Sequence, residues 1–249
     1  MLKLFSTFAV MANSYFQFKQ FRINQDQCAM KVTTDACILG AYTALCELVP
    51  QRILDIGSGT GLLSLMLAQA FEASIDSVEL DEQAALQCAN NFKESPWADR
   101  LQVHQMAIQT FVTNSKAPYQ LIISNPPYFP NHLKNQEKLK SQARHTETLS
   151  YEELAQCVAD GLSDQGRFYL ILPAEQEPLF RKIASQAGLY CQHELCIQNW
   201  KDSSVIRVVA VYGKARTEQV NSTPFIIREA PNVYTKQFVE LLKEYYLYL

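Results

Sequence analysis

The stretch RILDIGSGTGLLSLMLA, Arg52 to Ala68, sets the architecture of the chain. Arg52 to Ile56 is a short apolar strand, Thr60 to Ala70 an apolar helix, and Gly57, Gly59 and Gly61 lie between them. Glycines at a strand-to-helix turn let the backbone come close to a ligand, and their amides are expected to approach it.

Working outward, the period of the pattern keeps changing. Ser74 to Leu80 reads as a strand, Glu82 to Phe92 as a helix, Leu101 to His104 and Tyr119 to Ser124 as strands. Tyr151 to Asp160 follows as a helix, Arg167 to Leu172 as a buried strand and Pro178 to Ala187 as a helix. Strands alternating with helices imply right-handed crossovers and a parallel sheet. Upstream, Thr33 to Val49 reads as a helix capped by Thr33 or Thr34 and stopped by Pro50. The end differs: Leu189 to Ile197 and Ser204 to Tyr212, joined around Lys201-Asp202, read as an antiparallel hairpin. Lys214 to Pro224 reads as a polar linker and Tyr234 to Tyr246 as a closing helix. The expected fold class is α/β, a Rossmann-like, doubly wound and mostly parallel sheet ending in that hairpin. A single domain over 1–249, with an N-terminal extension over 1–32, accommodates it.

The glycine loop restricts the ligand. A dinucleotide fingerprint needs Gly where Leu62 stands, and it does not usually place an acid at Asp55, facing a pyrophosphate. GxGxG preceded by Asp fits S-adenosylmethionine better, since that molecule carries no phosphate but has an ammonium and a sulfonium. Glu79 ends the next strand, 24 positions after Asp55, about where an acid chelates a ribose diol in this topology.

Composition removes other classes. A net charge of -3 and a sequence pI near 5.8 argue against a nonspecific polyanion binder, so any nucleic-acid partner is held by local basic patches. The seven cysteines form no CxxC pair and the four histidines are dispersed; reduced core thiols, a cytoplasmic setting and no metal are expected. No run approaches the roughly 18 apolar residues of a membrane span, and no obligate protein partner is expected.

After the fourth strand of the series comes NPPY, Asn125, Pro126, Pro127 and Tyr128. First and fourth strands are neighbours at the switch point of a doubly wound sheet, so Asn125 faces the glycine loop. The prolines fix φ, holding the Asn125 side chain and the Pro126 carbonyl in place before a substrate arrives. Two such acceptors suit a planar amine. Bonds from its two N–H groups to Asn125 Oδ1 and the Pro126 carbonyl favour a pyramidal nitrogen able to attack a methyl sulfonium. Tyr128 can stack on an aromatic substrate.

DIGSGTG with NPPY resembles the class I amino-methyltransferases. QFRINQDQCAMKVTTDACILGAY and ARHTETLS are similar to bacterial methyltransferases acting on the exocyclic amine of adenine 37, just 3′ of the anticodon of a valine tRNA. The resemblance runs from Phe16 to the terminal YYLYL. It implies an S-adenosyl-L-methionine cofactor, a tRNA substrate, and Lys31, Thr33 and Asp35 lying over the cofactor cleft. Many relatives carry an Asp after the third strand; here HQMAIQ has Ala107, whose backbone must serve with apolar Leu80 and Ile108.

The segment NHLKNQEKLKSQARH sets Lys134, Lys138, Lys140 and Arg144 against one Glu, a local charge of +3, with His145 at its end. A mobile RNA-contacting flap is expected there, the competing reading being a solvated loop. Other substrates for the same chemistry are another RNA or DNA base amine or a protein glutamine; a noncatalytic RNA-binding module is the remaining class. The last is disfavoured by the intact Asn125 and glycine loop, the glutamine enzyme by the lack of a helical domain ahead of that loop.

Overall fold

The computed structural model describes residues 13–28, 30–115, 117–127, 149–217 and 219–249. A hairpin opens it, β1 (Tyr15–Gln17) with β2 (Arg22–Asn24), followed by α1 (Thr34–Thr43). Then come β3 (Arg52–Ile56), α2 (Leu62–Ala70), β4 (Ser74–Glu79), α3 (Glu82–Lys93), β5 (Leu101–Gln105), α4 (Ile108–Asn114) and β6 (Tyr119–Ser124). The C-terminal half is α5 (Tyr151–Gly161), β7 (Leu162–Pro173), α6 (Glu177–Gln186), β8 (Tyr190–Trp200), β9 (Val205–Gly213), β10 (Asn221–Ala230), β11 (Val233–Tyr234) and α7 (Lys236–Leu242).

Nine strands form one sheet in the order β11-β10-β8-β9-β7-β6-β3-β4-β5. β3 pairs in parallel with β4 and β6, β4 with β5 and β6 with β7, while β9 runs antiparallel between β7 and β8. Alternate residues of each strand enter opposite layers. Ile53, Ile75, Leu121 and Ile123 pack with α1, α2, α3 and α7, whereas Leu54, Val78, Ile122 and Leu170 pack with α4, α5 and α6. Caps fix the helix starts. Thr33 Oγ1 accepts from Ala36 N and Asp81 from Ala84 N, and Ser150 with Glu153 makes a reciprocal box.

The expected hairpin is β8 with β9, but the sheet continues past it. β10 adds in parallel to β8, its first four residues falling inside the segment expected as a linker, and β11 closes the edge. Proline is tolerated at Pro224, which pairs with Cys196 on one side only, because β11 joins β10 from Arg228 onward. Helix α1 ends at Thr43 rather than Val49, leaving Leu45 and Val49 exposed. The closing helix is shorter than expected, since Tyr234 belongs to β11 and Thr235 is the cap.

Candidate active site

The carboxyl ends of β3, β4 and β6 meet at one edge. Ile56 is level with Val78 on one side and Ser124 on the other, so Asp55, Glu79 and Asn125 open onto the same crevice. Ser124 Oγ donates to the Ile56 carbonyl at 2.8 Å and ties the two strand ends together.

Asp55 is fully buried. Its Oδ2 accepts from Ser64 Oγ at 2.7 Å, and Ser64 in turn meets Ser77 Oγ at 2.7 Å. Burial pushes the Asp55 carboxyl up to about 7; the Ser64 bonds oppose this and the Glu79 charge adds to it. Among the described residues its Oδ1 has no partner, and neither has Asn125 Oδ1, also buried. A buried acceptor without a donor costs about 1–3 kcal/mol. Here two of them stand at the ends of adjacent strands.

Four loop amides are engaged within the protein itself. Gly57 N and Ser58 N donate to the Val78 carbonyl, Gly59 N to Glu79 Oε2 at 2.8 Å, and Gly61 N to Ser58 O. What the loop offers is bare surface: among the described residues nothing lies within 4 Å of where a Cβ would stand on Gly57 or Gly59, both at positive φ. Gly61 differs. A Cβ there would stand 2.6 Å from Phe92 Cε1 and 2.8 Å from Cys88 Sγ, so this glycine serves the packing of α2 on α3. Glu79 also accepts from Leu80 N and Asp81 N. A carboxylate has about four lone-pair sites, so the three bonds leave room for one ligand hydroxyl. Leu80 is 43% exposed beside the half-buried Ala107, the residue that caps α4.

The N-terminal segment closes over this corner. Asn91 Nδ2 donates both to Thr60 O in the glycine loop and to Asn24 O, and Gln87 bonds Asp26 and Gln27 N. Burial first, and then the charges of Glu79, Asp81 and Asp26, push the Cys28 thiol up to about 11. Lys31 and Thr33 are exposed where the segment turns into α1.

Residues 41–171 match the family model "Methyltransferase small domain". Over 96% of its length the chain is 42% identical to the whole of the "tRNA1(Val) (adenine(37)-N6)-methyltransferase" of Cytophaga hutchinsonii. It is 40% identical over 94% of both chains to the protein of that name from Pectobacterium carotovorum. The chain belongs to this methyltransferase family. A predicted O-methyltransferase from Agrobacterium tumefaciens shares the fold, with a TM-score of 0.63 at 18% identity over 85% of this chain and 96% of that one. No helix among the described residues is long and apolar enough to cross a membrane.

Within the methyltransferase, the sequence missed the residues that hold the site. Ser64 and Ser77 position Asp55, and a serine in the apolar run of α2 is the signal that could have found the first. Arg207 of β9 donates to Asp35 Oδ2 at 2.8 Å and anchors the start of α1 to the same sheet edge; no local pattern announces a partner so far along the chain. Pro126 is buried and Pro127 exposed. Tyr128, Lys134, Lys138, Lys140, Arg144 and His145 lie outside the described residues. Away from the crevice, Glu177, Cys191 and Glu194 bring ligand atoms within 4.8 Å of one another. Arg181 donates to both carboxylates, so a guanidinium already takes the cation's place.

Proposed function

We propose that this methyltransferase acts in the cytoplasm as one domain, transferring a methyl group from S-adenosyl-L-methionine to the exocyclic N6 amine of adenine 37 in a valine tRNA. The observation that carries the reading is the unpartnered, buried Asn125 Oδ1 at the end of β6, beside the glycine loop at the end of β3. The full-length likeness to relatives named for this reaction supports the choice of base and RNA.

The donor set fits the cofactor. Among the described residues Asp55 Oδ1 lacks a donor and suits an ammonium, Glu79 retains a site for one ribose hydroxyl and would take the second by giving up a backbone bond, and Gly57 and Gly59 leave open the space side chains would fill. Leu80, Ala107 and Ile108 would border an adenine, with Lys31, Thr33 and Asp35 toward the other end. When bound, S-adenosyl-L-methionine supplies an electrophilic methyl group. The chain's own part is to accept. Asn125 Oδ1 and the Pro126 carbonyl take the two N–H groups of the amine and draw its lone pair out of conjugation, so that no strong base is needed at the start. Tyr128 would stack on the extruded base, offsetting an unstacking cost of a few kcal/mol. Lys134, Lys138, Lys140, Arg144 and His145 would contact the RNA backbone.

The test is single-turnover transfer of labelled methyl to valine tRNA, to the same tRNA with guanine at 37, and to a glutamine-bearing release-factor protein. Labelling of the first alone is expected. Equal labelling of both RNAs, or preferential labelling of the protein, would overturn the assignment.

A further inference from the structure

Beyond the crevice, the hairpin of β8 and β9 rises past the strand ends. Ser124 is level with Leu170, Leu170 with Ala210 and Ala210 with Glu194. Trp200 stands six residues further along β8, roughly 20 Å at the rise of a strand. Sideways it is three strands from β6, about 14 Å at ordinary strand spacing.

Trp200 is 39% exposed, and its indole N–H has no partner among the described residues. It is level with Arg228 on β10, which is level with Tyr234 on β11, so the three form a row across adjacent strands. The Arg228 guanidinium lies 4.8 Å over the Tyr234 ring, and that ring stacks at 4.3 Å on the fully buried Phe238. Among the described residues Arg228 has no carboxylate partner. The row is stiff: Ser203 bonds both the N–H and the carbonyl of Trp200, and Asp202 turns the tip at a φ of 63°. Lys201 adds a positive charge, while exposed Asp202 and Glu229 at its margins confine the attraction to a narrow strip.

We propose that Trp200 and Arg228 grip the sugar–phosphate backbone of the anticodon stem of the tRNA whose adenine enters the Asn125 crevice. The inference rests on the tRNA reading above. A base held at the sheet edge leaves its stem projecting beyond that edge, where this wall stands. The planar guanidinium suits a phosphate in two-point contact, and the indole can pack on a ribose while its N–H donates to the next phosphate. Both contacts are blind to sequence, so the row adds grip and orientation rather than choice of base.

The experiment titrates labelled full-length valine tRNA with the wild-type protein, Trp200→Ala and Arg228→Gln, at several salt concentrations. Parallel kcat and KM measurements use the tRNA and a stemless loop oligonucleotide carrying the same adenine. Trp200→Ala is expected to weaken tRNA binding about tenfold, and Arg228→Gln to lower the slope of log affinity against log salt by about one. Both losses should fall on KM for the tRNA and vanish for the stemless loop. Wild-type affinity and salt slope in both variants, or equal losses on the two RNAs, would overturn the proposal. Labelled cofactor binding verifies that each variant is folded. A wild-type protein that methylates no valine tRNA would overturn the underlying reading and, separately visible, the proposal with it.

Discussion

Two neighbouring strands leave the sheet by opposite chemistry. After β3 the chain runs through Gly57, Gly59 and Gly61, all at positive φ; after β6 it runs through Pro126 and Pro127, whose φ is fixed. The first exit removes side chains and makes room, and the second removes freedom and makes position. Each begins at a buried oxygen without a donor among the described residues, yet one belongs to an acid that can take a proton and the other to an amide that cannot. On the proposed reading, a site divided in this way would hold its cofactor in space the protein leaves bare, and its reacting amine on acceptors that are set in advance.

The largest expected effect breaks the rigid side. Asn125→Ala should lower the single-turnover methyl-transfer rate by about 10²–10³-fold, the usual scale for one preorganised hydrogen bond, while cofactor affinity by calorimetry stays within about threefold. A parallel fall in cofactor binding would mean that the two exits do not divide the labour. On the open side, Gly61→Ala meets Phe92 and Cys88 as well as the strain of a φ of 81°, and should cost about 2–3 kcal/mol in denaturant unfolding. Gly59→Ala, with nothing near its Cβ, should cost about 1 kcal/mol and act chiefly on cofactor affinity. Equal destabilisation by the two would erase the distinction between packing and cleft glycines.

The smallest effect sharpens the contrast between acid and amide. The Asp55 carboxyl is raised from an ordinary 3.8 to about 7, so its protonated form supports the ligand-free fold fully below about 4, and that support is lost as pH rises through 7. The melting temperature of the wild type relative to Asp55→Asn should therefore fall between pH 5 and pH 8, by a few degrees. Cofactor affinity should rise over the same interval, because an ammonium is held better by the ionised acid. A flat difference across that range would show that Asp55 stays ionised throughout.

The readable parts of the chain were those where local chemistry and global position agree. The run from Arg52 to Phe92 carries its strand and helix periods, its glycines and the Asp81 cap in uninterrupted order, and each element lies within two residues of its expected bounds. The meeting of Asp55, Glu79 and Asn125 at one edge was legible because strand ends in this topology must converge. β10 was not: Asn221, Ser222, Thr223 and Pro224 have the composition of a linker, and only pairing along one side makes them a strand. α4 was hidden by Thr110, Val112 and Thr113, whose branched side chains disfavour a helix that tertiary contacts nevertheless hold. The Asp35–Arg207 pair was invisible for a different reason, since it joins residues 172 positions apart.

The opening hairpin has a consequence for how the protein is made. Phe18 bridges to Tyr246, Lys19 N donates to the Tyr245 carbonyl, and Lys19 Nζ reaches the Lys243 carbonyl, 224 positions away. Phe16 and Phe18 lean on Tyr246 at ring separations of 5.8 and 6.0 Å. During synthesis at about 5–20 residues per second these aromatics emerge early, with Phe18 able to pack only on its neighbours Phe16 and Phe21, and they lack Tyr246 for over ten seconds. The hairpin can therefore finish its packing only after the strands and helices between residues 24 and 243 have been made, so its docking is a late step of folding.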